Sequence, residues 1–190
     1  MTRRLFAMIA AMMLPLALGG CWFSPTPLLH AGNASTVPFE GAYRDPDGTE
    51  NAIVIARTGN GAAYTLRQEE VTFDIFFLAV EDEWYAVQMS GPRADEDAGK
   101  PPSETEFNPI PEDLALYNLL HLADGELRAY EAVCDESFEG IDGIEVNDLG
   151  CAVSNVEGLR GAVRHYAELV EKGDKSAENF EFEVLERLPE

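Results

Sequence analysis

The spacing of apolar residues changes past Cys151 from two to 3.6, and that change limits the architectures open to this chain. From Phe39 onward, short runs rich in β-branched and aromatic residues (FEGAYR, AIVIART, AAYTLRQ, VTFDIFFLAV, WYAVQMS) alternate with turn text such as DPDG, GNG and EDE. Strand runs punctuated in this way predict an antiparallel meander. The run from Val71 to Val80 alternates through Val71, Phe73, Ile75 and Phe77 and then becomes apolar on both sides, which predicts a central strand covered on both faces. Asp124-Gly125 lies between two apolar runs, and this pair accepts the positive φ angles of a type I′ hairpin turn. That register sets Leu122 opposite Leu127, His121 opposite Arg128 and Leu119 opposite Tyr130.

Past Cys151 the period becomes helical. Val156, Leu159, Val163, Tyr166 and Val170 form one apolar stripe, Ser154-x-x-Glu157 reads as a capping box, and Lys172-Gly173 supplies the closing cation and cap. After it, NFEFEVLERL alternates Phe180, Phe182 and Val184 with Glu181 and Glu183, a last half-exposed strand. The expected fold class is therefore α+β: a mostly antiparallel sheet or partly closed meander of seven or eight strands, one C-terminal amphipathic helix packed on it, and a final strand.

The beginning of the chain is a different object. Arg3 and Arg4 precede an almost unbroken apolar run from Leu5 to Leu18, followed by the small residues Gly19 and Gly20. A positive start, a short apolar core and small residues at its end describe a secretory signal. Fourteen residues containing Pro15 fall short of the roughly 20 that span a bilayer.

Leu18-Gly19-Gly20-Cys21 resembles the lipobox of bacterial lipoproteins. The resemblance implies cleavage before Cys21, a diacylglycerol on its thiol and acylation of the new amino terminus; two or three acyl chains make a stable anchor, where one gives only marginal binding. It also implies an envelope location, and Trp22 after the cysteine, rather than Asp, points to the outer membrane facing the periplasm. The expected organisation is a signal peptide over 1–20, a lipidated anchor and flexible tether over 21–38, and a single α+β domain over 39–190 with a mobile acidic, proline-rich loop at 91–111. The tether reading rests on three prolines and no charge in WFSPTPLLHAGNASTVP, from which Trp22, Phe23, Leu28 and Leu29 would sink into the lipid headgroups. With Cys21 lipidated, Cys134 and Cys151 remain as an even pair in an oxidising compartment, so a disulfide is expected. Closing a loop of 16 intervening residues contributes about 3 kcal/mol in the chain-entropy picture.

The formal net charge is −22, and losing Arg3 and Arg4 makes the remainder more acidic still. Such a field disfavours nucleic acid and favours cationic partners or divalent ions. Between the two cysteines lie six carboxylates, Asp135, Glu136, Glu139, Asp142, Glu145 and Asp148. Asp135, Ser137, Glu139 and Gly140 match the first, third, fifth and sixth positions of a calcium loop, but Val146 stands at the twelfth, where a bidentate Glu is needed. A solvated acidic loop is the reading preferred over a calcium site, and no other cofactor is expected. Catalytic signatures are missing from the text: there is no Gly-x-Ser-x-Gly, no phosphate-binding glycine loop and no His-Glu-x-x-His, and His30, His121 and His165 lack ligand spacing.

FEGAYR, with Phe39, Gly41 and Tyr43, is similar to the start of the first strand of lipocalin-type barrels, as is a helix followed by a final strand; that family usually has Trp where Tyr43 stands. This similarity implies a cavity for a small apolar ligand. A filled sheet is the competing reading, decided by whether inward residues such as Phe73, Phe77 and Leu119 occupy the space. The function expected first is that of a non-enzymatic, lipid-anchored envelope protein that binds or assists through a protein partner; a lipocalin-like carrier is the alternative.

Overall fold

A computed structural model describes residues 22–44, 52–68, 71–93, 113–172 and 182–189. The described residues form eleven strands and one α-helix: β1 (Trp22–Ser24), β2 (Gly41–Arg44), β3 (Ile53–Arg57), β4 (Ala63–Gln68), β5 (Val71–Ala79), β6 (Trp84–Arg93), β7 (Ala115–Ala123), β8 (Glu126–Tyr130), β9 (Ile144–Asn147), β10 (Gly150–Val153), α1 (Val156–Lys172) and β11 (Phe182–Arg187). Strands β2 to β8 pair in sequence order, all antiparallel, and β11 closes the circle between β8 and β2. The meander is thus a closed eight-stranded barrel, which leaves no free edge among its own strands.

Three further strands, more than the seven or eight expected, form an annex. The first half of β7 pairs with β1, β1 runs parallel to β10, and β9 lies outermost. Strand β9 and the first half of β10 fall inside the stretch read as an acidic loop. Four-residue strands carry too few alternations to stand out from charged text; β9 pairs locally with β10, and β10 gains a long-range partner in β1.

The β7–β8 hairpin has the expected register: Leu119 opposite Tyr130, His121 opposite Arg128 and Leu122 opposite Leu127. Asp124 and Gly125 have φ angles of 53° and 82°, the left-handed pair that a type I′ turn demands.

The barrel wall separates two cores. Phe73, Ile75 and Phe77 of β5 point inward with Tyr43, Ile55, Tyr64, Val87, Leu120, Leu127 and Leu185. Leu78, next along β5, points outward into a second core with Trp84, Tyr117, Leu119 and Tyr130 under α1. This explains why β5 becomes apolar on both faces. Leu119, expected inside, belongs to the outer core, because the β7 residues paired with the inward Tyr85 and Val87 are Leu120 and Asn118.

Helix α1 buries Leu159, Ala162, Val163, Tyr166 and Leu169. Its cap is one residue later than the capping box implies. Asn155 Oδ1 accepts from Gly158 N at 2.7 Å, while Ser154 Oγ donates to the Gly143 carbonyl at 3.1 Å. Gly158 follows from tertiary packing: a Cβ there would lie 2.8 Å from the Gly143 carbonyl oxygen and 2.9 Å from that of Asp142.

The stretch expected as a flexible tether is packed into the fold from Trp22 onward. Trp22 is completely buried, its Nε1 donates to the Val133 carbonyl at 3.0 Å, and its ring meets Phe138 and Tyr166 edge-on. Leu28 N and Leu29 N donate to Gln88 Oε1 at 2.8 and 2.7 Å, and Gln88 Nε2 returns a bond to the Leu29 carbonyl at 3.0 Å. Tyr117 Oη lies 2.8 Å from Ser24 Oγ and 3.2 Å from Gln88 Oε1. Burial pushes the Tyr117 phenol up to about 12, so it stays a neutral hydrogen-bonding group. Prolines and the absence of charge suit an extended strap as well as a coil; the buried Gln88 decides between them by satisfying the strap's backbone donors and acceptor. Residues 1–21, including Cys21, and 94–112, most of the loop expected to be mobile, lie outside the described residues.

Candidate functional site

The strap continues across one end of the barrel. Ser35 bridges to Phe77 on β5, and its Oγ accepts from Ala79 N at 2.9 Å. Val37 N donates to Tyr64 Oη at 3.0 Å, and Tyr43 Oη donates to the Phe39 carbonyl at 2.7 Å. Phe39 then stands edge-on to Phe77 and Tyr85, with ring centroids 5.2 and 5.1 Å away, and Tyr64 meets Phe77 at 5.1 Å. T-shaped aromatic packing of this kind fills space with directional contacts. Phe73 and Phe77 therefore occupy the interior, as the filled-sheet reading requires.

The filling is incomplete. Between the strap and the β7–β8 hairpin lies a half-open cavity of ≈ 170 Å³, lined by Pro38, Phe39, Tyr43, Leu122, Gly125, Leu127, Leu185 and Arg187. Its walls are apolar, with two polar groups. Burial raises the Tyr43 phenol above its ordinary value and the nearby Arg187 charge opposes that rise, so the group is a neutral hydroxyl turned toward Phe39. Arg187 Nη2 donates to the Glu40 carbonyl at 2.8 Å, while the Glu40 carboxylate is held by Arg57 at 2.6 Å. At the other end of the barrel the inward-facing Leu66, Val71, Met89 and Leu116 are half-buried and Asn118 is exposed.

Cys134 and Cys151 are joined by a disulfide with Cα atoms 5.5 Å apart. It ties the residue opposite Trp22 to the segment that follows β8. Of the calcium candidates, Asp135 caps the 3-10 turn Glu136–Phe138 by accepting from Ser137 N at 2.8 Å, and Glu139 is exposed. No group of three or more His, Cys, Asp or Glu among the described residues is placed to hold a metal ion. Ser137 Oγ lies 3.3 Å from His165 Nε2, a contact between exposed side chains that bridges this turn to α1. His121 stacks on Trp84 at 4.3 Å, and His30 is exposed.

Sequence reasoning overlooked Arg187 and the Gln88–Tyr117–Ser24 network. Gln88 could have been noticed as a polar residue two positions after Ala86 on the strand face that also carries Trp84. Arg187 carries no such signal, because its role depends on β11 closing the barrel.

No family model matches this chain. The searches of curated proteins and of solved structures return no match either.

Proposed function

We propose that this protein is a lipid-anchored, non-enzymatic binding protein of the outer membrane, facing the periplasm, whose barrel carries a small apolar ligand. The observation that carries the ligand reading is the ≈ 170 Å³ cavity between Phe39 and the β7–β8 hairpin, inside a closed antiparallel barrel. Drug-sized ligands occupy about 300–1,000 Å³, whereas an apolar cavity of about 150 Å³ holds benzene. The ligand class is therefore one ring or the last few carbons of an alkyl chain. Burying six methylenes at roughly 0.8 kcal/mol each gives about 5 kcal/mol, a sub-millimolar dissociation constant.

The test is calorimetric titration of the mature protein with alkanoates of four to ten carbons. Binding should appear at hexanoate or octanoate and be lost in Leu127→Trp, which fills the cavity. Absence of binding across the whole series would remove the carrier reading. The anchor is supported by the lipobox-like text, and among the described residues no helix is long and apolar enough to cross a membrane. A role through a protein partner is supported by β9, which among the described residues pairs with β10 alone and has no strand on its other backbone edge. Photo-crosslinking from position 145 on that edge would trap such a partner.

A further inference from the structure

Leu149 is 70% exposed, the large hydrophobic side chain most out of place among the described residues. Exposed hydrophobes are common singly and need no explanation by themselves. This one is held outward by an ordered turn, in which Leu149 N donates to Asn147 Oδ1 at 2.9 Å between β9 and β10. Its position relative to the start of the chain's packed body is what gives it meaning. Strand β1 runs parallel to β10 with Trp22 opposite Cys151. Both strands therefore begin at the same edge of the annex, and the β9–β10 turn sits where β1 starts. Adjacent Cα atoms are about 3.8 Å apart, so chain connectivity alone holds Cys21 beside Trp22.

We propose that this corner, the β9–β10 turn with the start of β1, is the surface by which the domain rests on the bilayer, with Leu149 as its apolar contact. The proposal rests on Cys21 being the acylated residue. Because Trp22 is buried and bonded to Val133, no slack lies between the anchor and the fold. The disulfide braces the same corner, since Cys151 is both opposite Trp22 and bonded to Cys134. An acylated Cys21 would then bring the adjacent turn to the lipid headgroups and fix the orientation of the barrel, where a flexible tether would leave it free to tumble.

The test uses the acylated full chain reconstituted into phosphatidylcholine vesicles. Leu149→Cys is labelled with bimane, and Asn60→Cys, in the β3–β4 loop on the far side of the barrel, serves as the control. Incorporation of a palmitate analogue is measured on the same preparations. With incorporation present, spin-labelled lipid should quench the label at position 149 several-fold more than the label at position 60. Incorporation with equal quenching at both positions would overturn the resting corner while leaving the anchor in place. No incorporation would overturn the anchor, and the corner with it.

Discussion

Trp22 lies directly opposite Cys151 in a parallel strand pair, so the residue that follows Cys21 and one half of the disulfide share a register position in the outer core. Two long-range constraints, one packed and one covalent, thereby act on the same point. Trp22→Ala should destabilise the protein by about 3–5 kcal/mol, the usual cost of truncating a large buried aromatic. Urea denaturation of the wild type and the variant, each with and without reductant, checks it. The two losses should not add, because contacting sites couple.

Asn155→Ala should cost about 1 kcal/mol, the typical value of a lost helix cap, because Asn155 Oδ1 is the acceptor for Gly158 N. Ser154→Ala should cost less, since Ser154 Oγ is exposed and bonds the Gly143 carbonyl. Thermal melts of the two variants give the order; the reverse order would restore Ser154 as the cap.

Gly158→Ala should destabilise although alanine is the better helix former. The new methyl would meet the backbone oxygens of Gly143 and Asp142 at 2.8 and 2.9 Å, and backbone cannot move aside as a flexible side chain would. Overpacking of this kind costs about 1–3 kcal/mol, more than the ~1 kcal/mol that alanine gains over glycine in a helix. Chemical denaturation measures the net sign.

His121 gives a pH dependence whose direction follows from its surroundings. Burial against Trp84 lowers its pKa below the ordinary 6.5, and Arg128 adds to the lowering, while the Asp82 carbonyl and the Glu83 and Glu171 carboxylates oppose it. The unfolded chain thus takes up a proton at a higher pH than the folded one. This contribution to stability is fully present above pH 6.5 and is lost as pH falls from there through the folded pKa. His121→Phe, which keeps a ring on Trp84, should flatten that part of the stability profile. A wild-type slope retained in the variant would assign the dependence to other groups.

The local elements were legible where a short stretch carries its own instructions. Asp124-Gly125 dictated a left-handed turn and with it the register of β7 and β8, and the stripe from Val156 to Tyr166 dictated a helix. The strap was illegible for the opposite reason. Proline-rich text from Trp22 to Pro38 forms no periodic pattern, and its order comes from Gln88, about 60 residues away, and from Tyr64. A cavity was implied by the lipocalin-like similarity, but its place and lining were not legible, since Phe39, Leu127 and Leu185 come from three separate parts of the chain.

By itself, then, the sequence determined the alternation of strand and helix, the turn chemistry and the acidic character, because each depends on neighbours within a few residues. Closure did not follow from it: whether the meander stayed an open sheet or became a barrel depended on β11 reaching both β8 and β2 across a long sequence gap. Tertiary structure also decided that Leu119 belongs to the core under the helix while Leu120 faces the interior, that Asn155 rather than Ser154 caps the helix, and that the chain is already buried at Trp22. The physical reason is common to all of these: strand pairing and burial are satisfied between distant segments, and the local pattern constrains which face a residue presents without specifying what will cover it.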